Sequence, residues 1–185
     1  AWAFRDTGPM TLSPEDQSRL ARANELALAW HAHQQRKGSQ IPYVSHLSQV
    51  KGLVLEHGGS IDQAVAALLH DALEDAANPA ERAEREAVIA HEFGPQVLAI
   101  VLGADEAADS KAPWKERKTR YLEHLRHASR ESLLVAACDK RHNLHALVWD
   151  VRTQGAVYLE RFNSEPAEQL WYFESIVAAF AGRVP

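Results

Sequence analysis

The sequence predicts an all-α protein, a single helical bundle of about eight helices. Nine glycines and eight prolines fall between long segments rich in Ala, Leu, Glu and Arg, the punctuation of a helical chain. Apolar residues inside those segments recur at helical spacing, and no stretch alternates with the period of two that a half-buried strand requires. No internal repeat or low-complexity segment interrupts this pattern. At 185 residues the chain is long enough for one sizeable core and short for two.

Each helix has its own signals. Ser13-Pro14 with Asp16 is an N-cap followed by proline at the first helical position, and Leu20, Ala23, Ala27 and Trp30 continue that helix towards Lys37-Gly38. Pro42 and Tyr43 open a second helix, which Gly58-Gly59 stops after His57. Ser60 with Gln63 reads as a capping box for a third, expected to run through Asp75. Asn78-Pro79 starts a charged helix to Phe93, and Gly94-Pro95 restarts an apolar one through Leu102. Residues 104–112 read as an acidic loop. Pro113 opens a helix to about Ala128, and a long apolar one runs from Ser129 to Val151. A short piece near Val157 to Phe162 and a final helix from Glu165 to Phe180 complete the chain.

Composition narrows the function. Twenty Lys and Arg against 25 Asp and Glu leave a formal net charge of −5, which argues against bulk nucleic-acid binding, since that rests on neutralising phosphates. No stretch approaches the ~18 consecutive apolar residues of a membrane span. The single cysteine, Cys138, cannot form an intrachain disulfide, so a soluble cytoplasmic protein is expected. Residues 1–9 precede the only methionine, Met10, and show neither periodicity nor a signal-peptide layout. They read as a cloning remnant, with residues 1–12 as a tail ahead of the domain.

Four segments carry residues capable of chemistry. The first is His70-Asp71-Ala72-Leu73-Glu74-Asp75, directly after the apolar run 64–69. Helical spacing would set His70 above Glu74 and Asp71 above Asp75. An imidazole beside a carboxylate suits a borderline divalent cation such as Mn, Zn or Fe, and two further carboxylates could hold or deprotonate a water. Read alone, a solvated acidic helix end explains the segment about equally well, although three acids there oppose the helix dipole. The second is Cys138-Asp139-Lys140-Arg141-His142-Asn143, which puts Asp139 into an apolar stripe. A buried aspartate is rare unless it pairs or ligates, and local pairing with Arg141 or a lysine serves as well as a metal. The third spans residues 34–46, with Arg36 and Lys37 where helix ends favour cations, and with His46 as either a core histidine or a ligand. In the fourth, residues 114–121, Lys115, Arg117, Lys118 and Arg120 make a solvated helix face or a phosphate-facing wall.

Taken in order, these segments resemble the HD-domain metal-dependent phosphohydrolases. The likeness is greatest to the small alarmone hydrolases, which are like the hydrolase domain of bifunctional (p)ppGpp synthetase/hydrolases. Matching elements are Arg36-Lys37 with Pro42-Tyr43 and His46; Ala67-Leu68-Leu69-His70-Asp71 with Glu74-Asp75; and Asp139-Lys140 with Asn143-Leu144. Pro113-Trp114 with Glu116-Arg117-Lys118 and Tyr121, and Arg161-Phe162 with Trp171-Tyr172, extend the match from Ser13 to Phe180. Leu47 stands where a proline commonly succeeds the first metal histidine, Arg141 at an often apolar position, and Ala104 where a threonine is frequent.

The resemblance implies an HD-type domain over residues 13–182. It also implies a metal centre of His46, His70, Asp71 and Asp139, usually for Mn²⁺, with Glu74 and Asp75 positioning and activating the attacking water. Arg36, Lys37, Tyr43, Lys140 and Asn143 match residues near the base, ribose or phosphates of a purine nucleotide carrying a pyrophosphate. Lys37, Lys115 and Lys118 are further candidates to offset phosphate charge. The expected reaction is hydrolysis of the 3′-pyrophosphate of (p)ppGpp, without synthesis. Similar hydrolases accept (p)ppApp or remove the 2′-phosphate of NADPH, and a non-catalytic alarmone-binding domain is the alternative of another class.

Overall fold

Side-chain caps start four of the helices among the described residues. Ser13 and Asp16 form a reciprocal capping box at the head of α1 (Pro14–Trp30), and Ser60 with Gln63 does the same for α3 (Ile61–Leu69). Between them lies α2 (Val44–Glu56). Asn78 caps α4 (Pro79–Phe93), whose end at Gly94 leads into α5 (Pro95–Ala104). After α6 (Trp114–His127), Ser129 caps the long α7 (Arg130–Gln154). A short 3₁₀ helix, Ala156–Arg161, links α7 to α8 (Pro166–Phe180). A computed structural model describes residues 11–106, 112–162 and 164–184. Residues 1–10, with Met10, and most of the expected acidic loop lie outside the described residues. The architecture is the all-α bundle that the sequence predicts, and among the described residues no helix is long and apolar enough to cross a membrane.

Helix α3 is the axis of the bundle. Every residue from Gln63 to Leu69 is buried, and the helix packs against α1, α2, α5 and α7. Burying a leucine or valine side chain contributes about 1.5–3 kcal/mol. A segment buried all round therefore anchors the two residues at its end, His70 and Asp71.

Helices α5 and α7 approach closely because Gly103 faces Ser132. A Cβ on Gly103 would lie 2.7 Å from the Cβ of Ser132 and nearer still to its Oγ. Gly103→Ala is therefore expected to destabilise the fold by about 1–3 kcal/mol, even though alanine is the better helix former. Denaturant unfolding checks this, and Ser132→Gly in the same chain should recover part of the loss. A Gly103→Ala protein as stable as its parent would remove the steric account.

Two expected elements end early. Helix α1 stops at Trp30 rather than near Lys37. Residues 31–42 instead fold back as a strap, with an isolated antiparallel bridge between Gln35 and Pro42 and the Tyr43 amide donating to the Gln34 carbonyl at 2.9 Å. Gly38 supplies the turn with φ of 77°. The strap is tied to the 3₁₀ helix, where Tyr158 Oη donates to the Lys37 carbonyl and Arg161 Nη1 to the Gly38 carbonyl. Likewise α3 ends at Leu69, not Asp75, with His70 as its C-cap. The next residues form consecutive turns through Ala72 N to Leu69 O and Asp75 N to Asp71 O bonds, both 3.0 Å. Leaving the helix turns Asp71 onto the same point as His70, with its Oδ2 3.0 Å from His70 Nε2.

Candidate metal centre

Three separate segments deliver four side chains to one place. His46 enters from the first turn of α2, on the face that also buries Leu47, Val50 and Val54. His70 and Asp71 come from the end of α3 and the turn after it. Asp139 comes from α7, where Val135, Cys138 and His142 share its buried face. One ligand atom each from His46, His70 and Asp139 falls within 4.8 Å of the others. Asp71 Oδ2, beside His70, stands 3.5 Å from His46 Nε2, and Asp139 Oδ1 lies 3.6 Å from His70 Nε2 and 3.2 Å from His46 Nε2.

The four groups answer one another electrostatically. Burial alone would raise the Asp139 carboxyl; Lys140 first, then the facing His46 and His70, outweigh burial and hold it well below the usual carboxylate range. Burial also opposes ionisation of Asp71, and His70 and His46 overcome it. For His70 burial favours the neutral ring, yet Asp71 and Asp139 raise its pKa well above the ordinary histidine value. A field that draws a proton so strongly draws a divalent cation too.

The donor atoms fit such a cation. His46 Nε2 and His70 Nε2 are buried and make no hydrogen bond, a cost that native interiors avoid unless something else satisfies the atom. Two imidazole nitrogens, which give up their protons to a cation, and two carboxylates facing one point are the donor set of a borderline transition metal. His70 is held for this by its own helix: its Nδ1 lies 2.9 Å from the Ala67 carbonyl.

Around the centre runs a shell of hydrogen bonds. Tyr43 Oη donates to Asp71 Oδ2 at 2.7 Å and stacks on His31 at 5.3 Å between centroids. Asn143 Nδ2 donates to Asp139 Oδ1 at 2.5 Å, while its own Oδ1 accepts from Arg36 Nη2 at 2.8 Å. Lys140 Nζ lies 2.8 Å from Asp139 Oδ2 and 3.4 Å from Glu106 Oε2, so this cation is turned inward. The turn carrying Asp71 to Asp75 is clamped from outside by Arg85, whose Nη1 donates to the Ala72 carbonyl at 2.6 Å.

Glu74 and Asp75 sit on the open side of the turn. Asp75 Oδ2 accepts from Gln34 Nε2 at 2.9 Å, and Gln34 Oε1 lies 2.6 Å from His31 Nδ1. Crowding by the protein, then Glu106 and Asp71, push the Glu74 carboxyl up to about 8 against the pull of Lys140 and Lys118. Lys118 pairs with Glu106. Lys37 is exposed over the Phe162 ring, and Lys115 is exposed over Trp171. Of the three departures from the family pattern, Leu47 is wholly buried in the core, Arg141 contacts half-buried His57 at 3.0 Å, and the Ala104 carbonyl accepts from Tyr121.

Four neighbours carry no role in the sequence reading: His31, Gln34, Glu106 and His142. The last lies inside the singled-out run 138–143, three residues beyond Asp139 and so on the same helix face. That spacing is the one signal that could have found it.

A model of the HD domain family matches residues 23–163, about three quarters of the chain. The chain belongs to the HD domain family. Among curated relatives, this HD domain is 29% identical over 144 residues to the bifunctional (p)ppGpp synthase/hydrolase SpoT of Escherichia coli, covering 74% of the chain and 19% of the relative. It is also 29% identical over 144 residues to the guanosine-3′,5′-bis(diphosphate) 3′-pyrophosphohydrolase of Aquifex aeolicus, covering 76% and 19%. The chain thus spans about a fifth of the length of the curated relatives it matches. Among solved structures, a metazoan ortholog of SpoT superposes with a TM-score of 0.71 at 22% identity, over 95% of this chain and 90% of that one. A Listeria monocytogenes protein gives a TM-score of 0.62 at 26% identity, over 72% and 82%. The all-α bundle is therefore an HD-domain fold, and the HD domain carries with it a divalent metal, to which the donor set of His46, His70, Asp71 and Asp139 is suited.

Proposed function

We propose that this HD domain is a Mn²⁺-dependent phosphohydrolase that removes the 3′-pyrophosphate of (p)ppGpp, releasing GDP or GTP and pyrophosphate. The observation that carries this reading is the pair of buried, unbonded imidazole nitrogens facing Asp71 and Asp139, with Glu74 and Asp75 on the open side. Relatives named for (p)ppGpp hydrolysis supply the substrate class. Residues 13–182 form the working unit, acting on a small cytoplasmic nucleotide.

His46, His70, Asp71 and Asp139 hold the cation, which when bound supplies a Lewis acid for phosphoryl oxygen and makes water more acidic. Asp75, aligned by Gln34, orients the attacking water and accepts its proton, with Glu74 beside it. Water oxygen adds to the phosphorus on the ribose 3′-oxygen, the bond from that phosphorus to the 3′-oxygen breaks, and the oxygen departs as the hydroxyl with one proton. Arg36, aligned by Asn143, presents a planar cation on which a purine stacks. Tyr43 and Lys140 bear on the substrate through Asp71 and Asp139, whereas Lys37, Lys115 and Lys118 offset phosphate charge.

Product chromatography on ppGpp, ppApp and NADPH, each with Mn²⁺ and with EDTA, tests the reading. Pyrophosphate and GDP should appear from ppGpp only with Mn²⁺ and at the highest initial rate of the three. A faster rate on ppApp or NADPH would reassign the substrate. Intact ppGpp after hours with Mn²⁺ bound would leave a binding domain instead of an enzyme.

A further inference from the structure

His142 has no part in the proposed chemistry, yet among the described residues it makes the one polar contact to His46 on the side of the ring away from the metal point. Its Nδ1 lies 2.7 Å from His46 Nδ1, with the ring centroids 4.8 Å apart. Both residues are buried. Only one proton can lie between two imidazole nitrogens at that distance, so one ring donates and the other accepts.

Which ring donates decides what His46 can do. With the proton on His46 Nδ1, the neutral ring has its lone pair on Nε2, aimed at the point shared with Asp71, His70 and Asp139. With the proton on His142 Nδ1, a neutral His46 carries its hydrogen on Nε2 and has no electron pair to offer there. His70 meets the same choice and has it made by the backbone, because the Ala67 carbonyl only accepts and keeps the proton on Nδ1. At His46 Nδ1 the partner among the described residues is His142 instead.

The geometry points to His142 as a positioning residue that accepts the Nδ1 proton of His46 and thereby fixes the Nε2 tautomer required for metal ligation. Outer partners of ligating histidines act in this way in metal centres generally, through both tautomer and ring orientation. The spacing supports the pairing: Asp139 and His142 lie one helical turn apart on α7, so one helix supplies a ligand and the acceptor that prepares a second ligand on α2. This inference rests on the proposed centre, so its test separates the two.

Two measurements on the full chain do so. In the protein loaded with diamagnetic Zn²⁺, long-range ¹H–¹⁵N correlation should place the His46 proton on Nδ1 and leave His142 Nδ1 unprotonated as its acceptor. Titration with Mn²⁺ alone, counting the free ion by electron paramagnetic resonance, should show affinity falling roughly 10–100-fold in His142→Phe. His142→Asn, whose side-chain carbonyl offers an acceptor near the Nδ1 position, should stay within a few-fold of the parent, a rescue that a merely space-filling role would not produce. Parental affinity in His142→Phe, or a proton found on His142 Nδ1 in the loaded protein, overturns the assignment of His142. If His142→Phe does not fold, the parent's tautomer and His142→Asn decide alone. A parent that takes up no Mn²⁺ overturns the centre itself and this inference with it.

Discussion

Asp139→Ala is expected to lose Mn²⁺ affinity by more than the roughly 10–100-fold that removal of an outer partner costs, and to reduce (p)ppGpp turnover below detection. Asp139 faces both metal-side nitrogens at 3.2 and 3.6 Å, and no other carboxylate on α7 is placed to replace it. The same change removes the nearest anion from Lys140, a side chain with only 13% of its surface exposed. Leaving a buried charge without its partner costs about 3–5 kcal/mol, and Glu106 at 3.4 Å keeps this case at the lower end. A thermal melt in EDTA beside the Mn²⁺ titration reads the two effects separately. An Asp139→Ala protein that binds Mn²⁺ and turns over like its parent would end the proposal of a metal-dependent hydrolase at this site.

Asp75→Ala should behave oppositely. Mn²⁺ affinity is expected to stay within about twofold, because Asp75 contacts Gln34 and not the metal-facing nitrogens. kcat is expected to fall by about 10²–10⁴, the range for loss of a positioned general base. The side chain is 31% exposed, so folding stability should change little. Steady-state kinetics with saturating Mn²⁺ checks the prediction. Parental kcat, or a loss of metal matching that of Asp139→Ala, would remove Asp75 from the proposed chemistry.

The helices were largely legible because their starts are written locally. Ser13 with Asp16, Ser60 with Gln63, Asn78 before Pro79 and Ser129 before α7 are contacts within one turn, which spacing alone can reveal. The ends of α1 and α3 were not legible for the converse reason. Residues 31–37 continue a helical pattern but are pulled into the strap by Tyr158 and Arg161, more than a hundred residues away. The sequence likewise singled out His46, His70, Asp71 and Asp139 by residue type, while each segment alone left an ordinary structural explanation standing. Distance between segments is the quantity that separates the explanations. For the same reason His31, Gln34, Glu106 and His142 carried no role until their partners, drawn from other helices, were in view.

The clasp between the strap and the 3₁₀ helix bears on how the chain reaches its native state. Arg161 and Gly38 lie 123 positions apart, and Tyr158 and Lys37 lie 121 apart. Closing so long a loop carries an entropic penalty before any bond can reward it, and contacts of such sequence separation slow folding. The capped helices need only their neighbours to form. Arg36 is therefore expected to acquire its fixed orientation late, once the strap and the 3₁₀ helix have met, with the proposed base-stacking wall among the last features completed in folding.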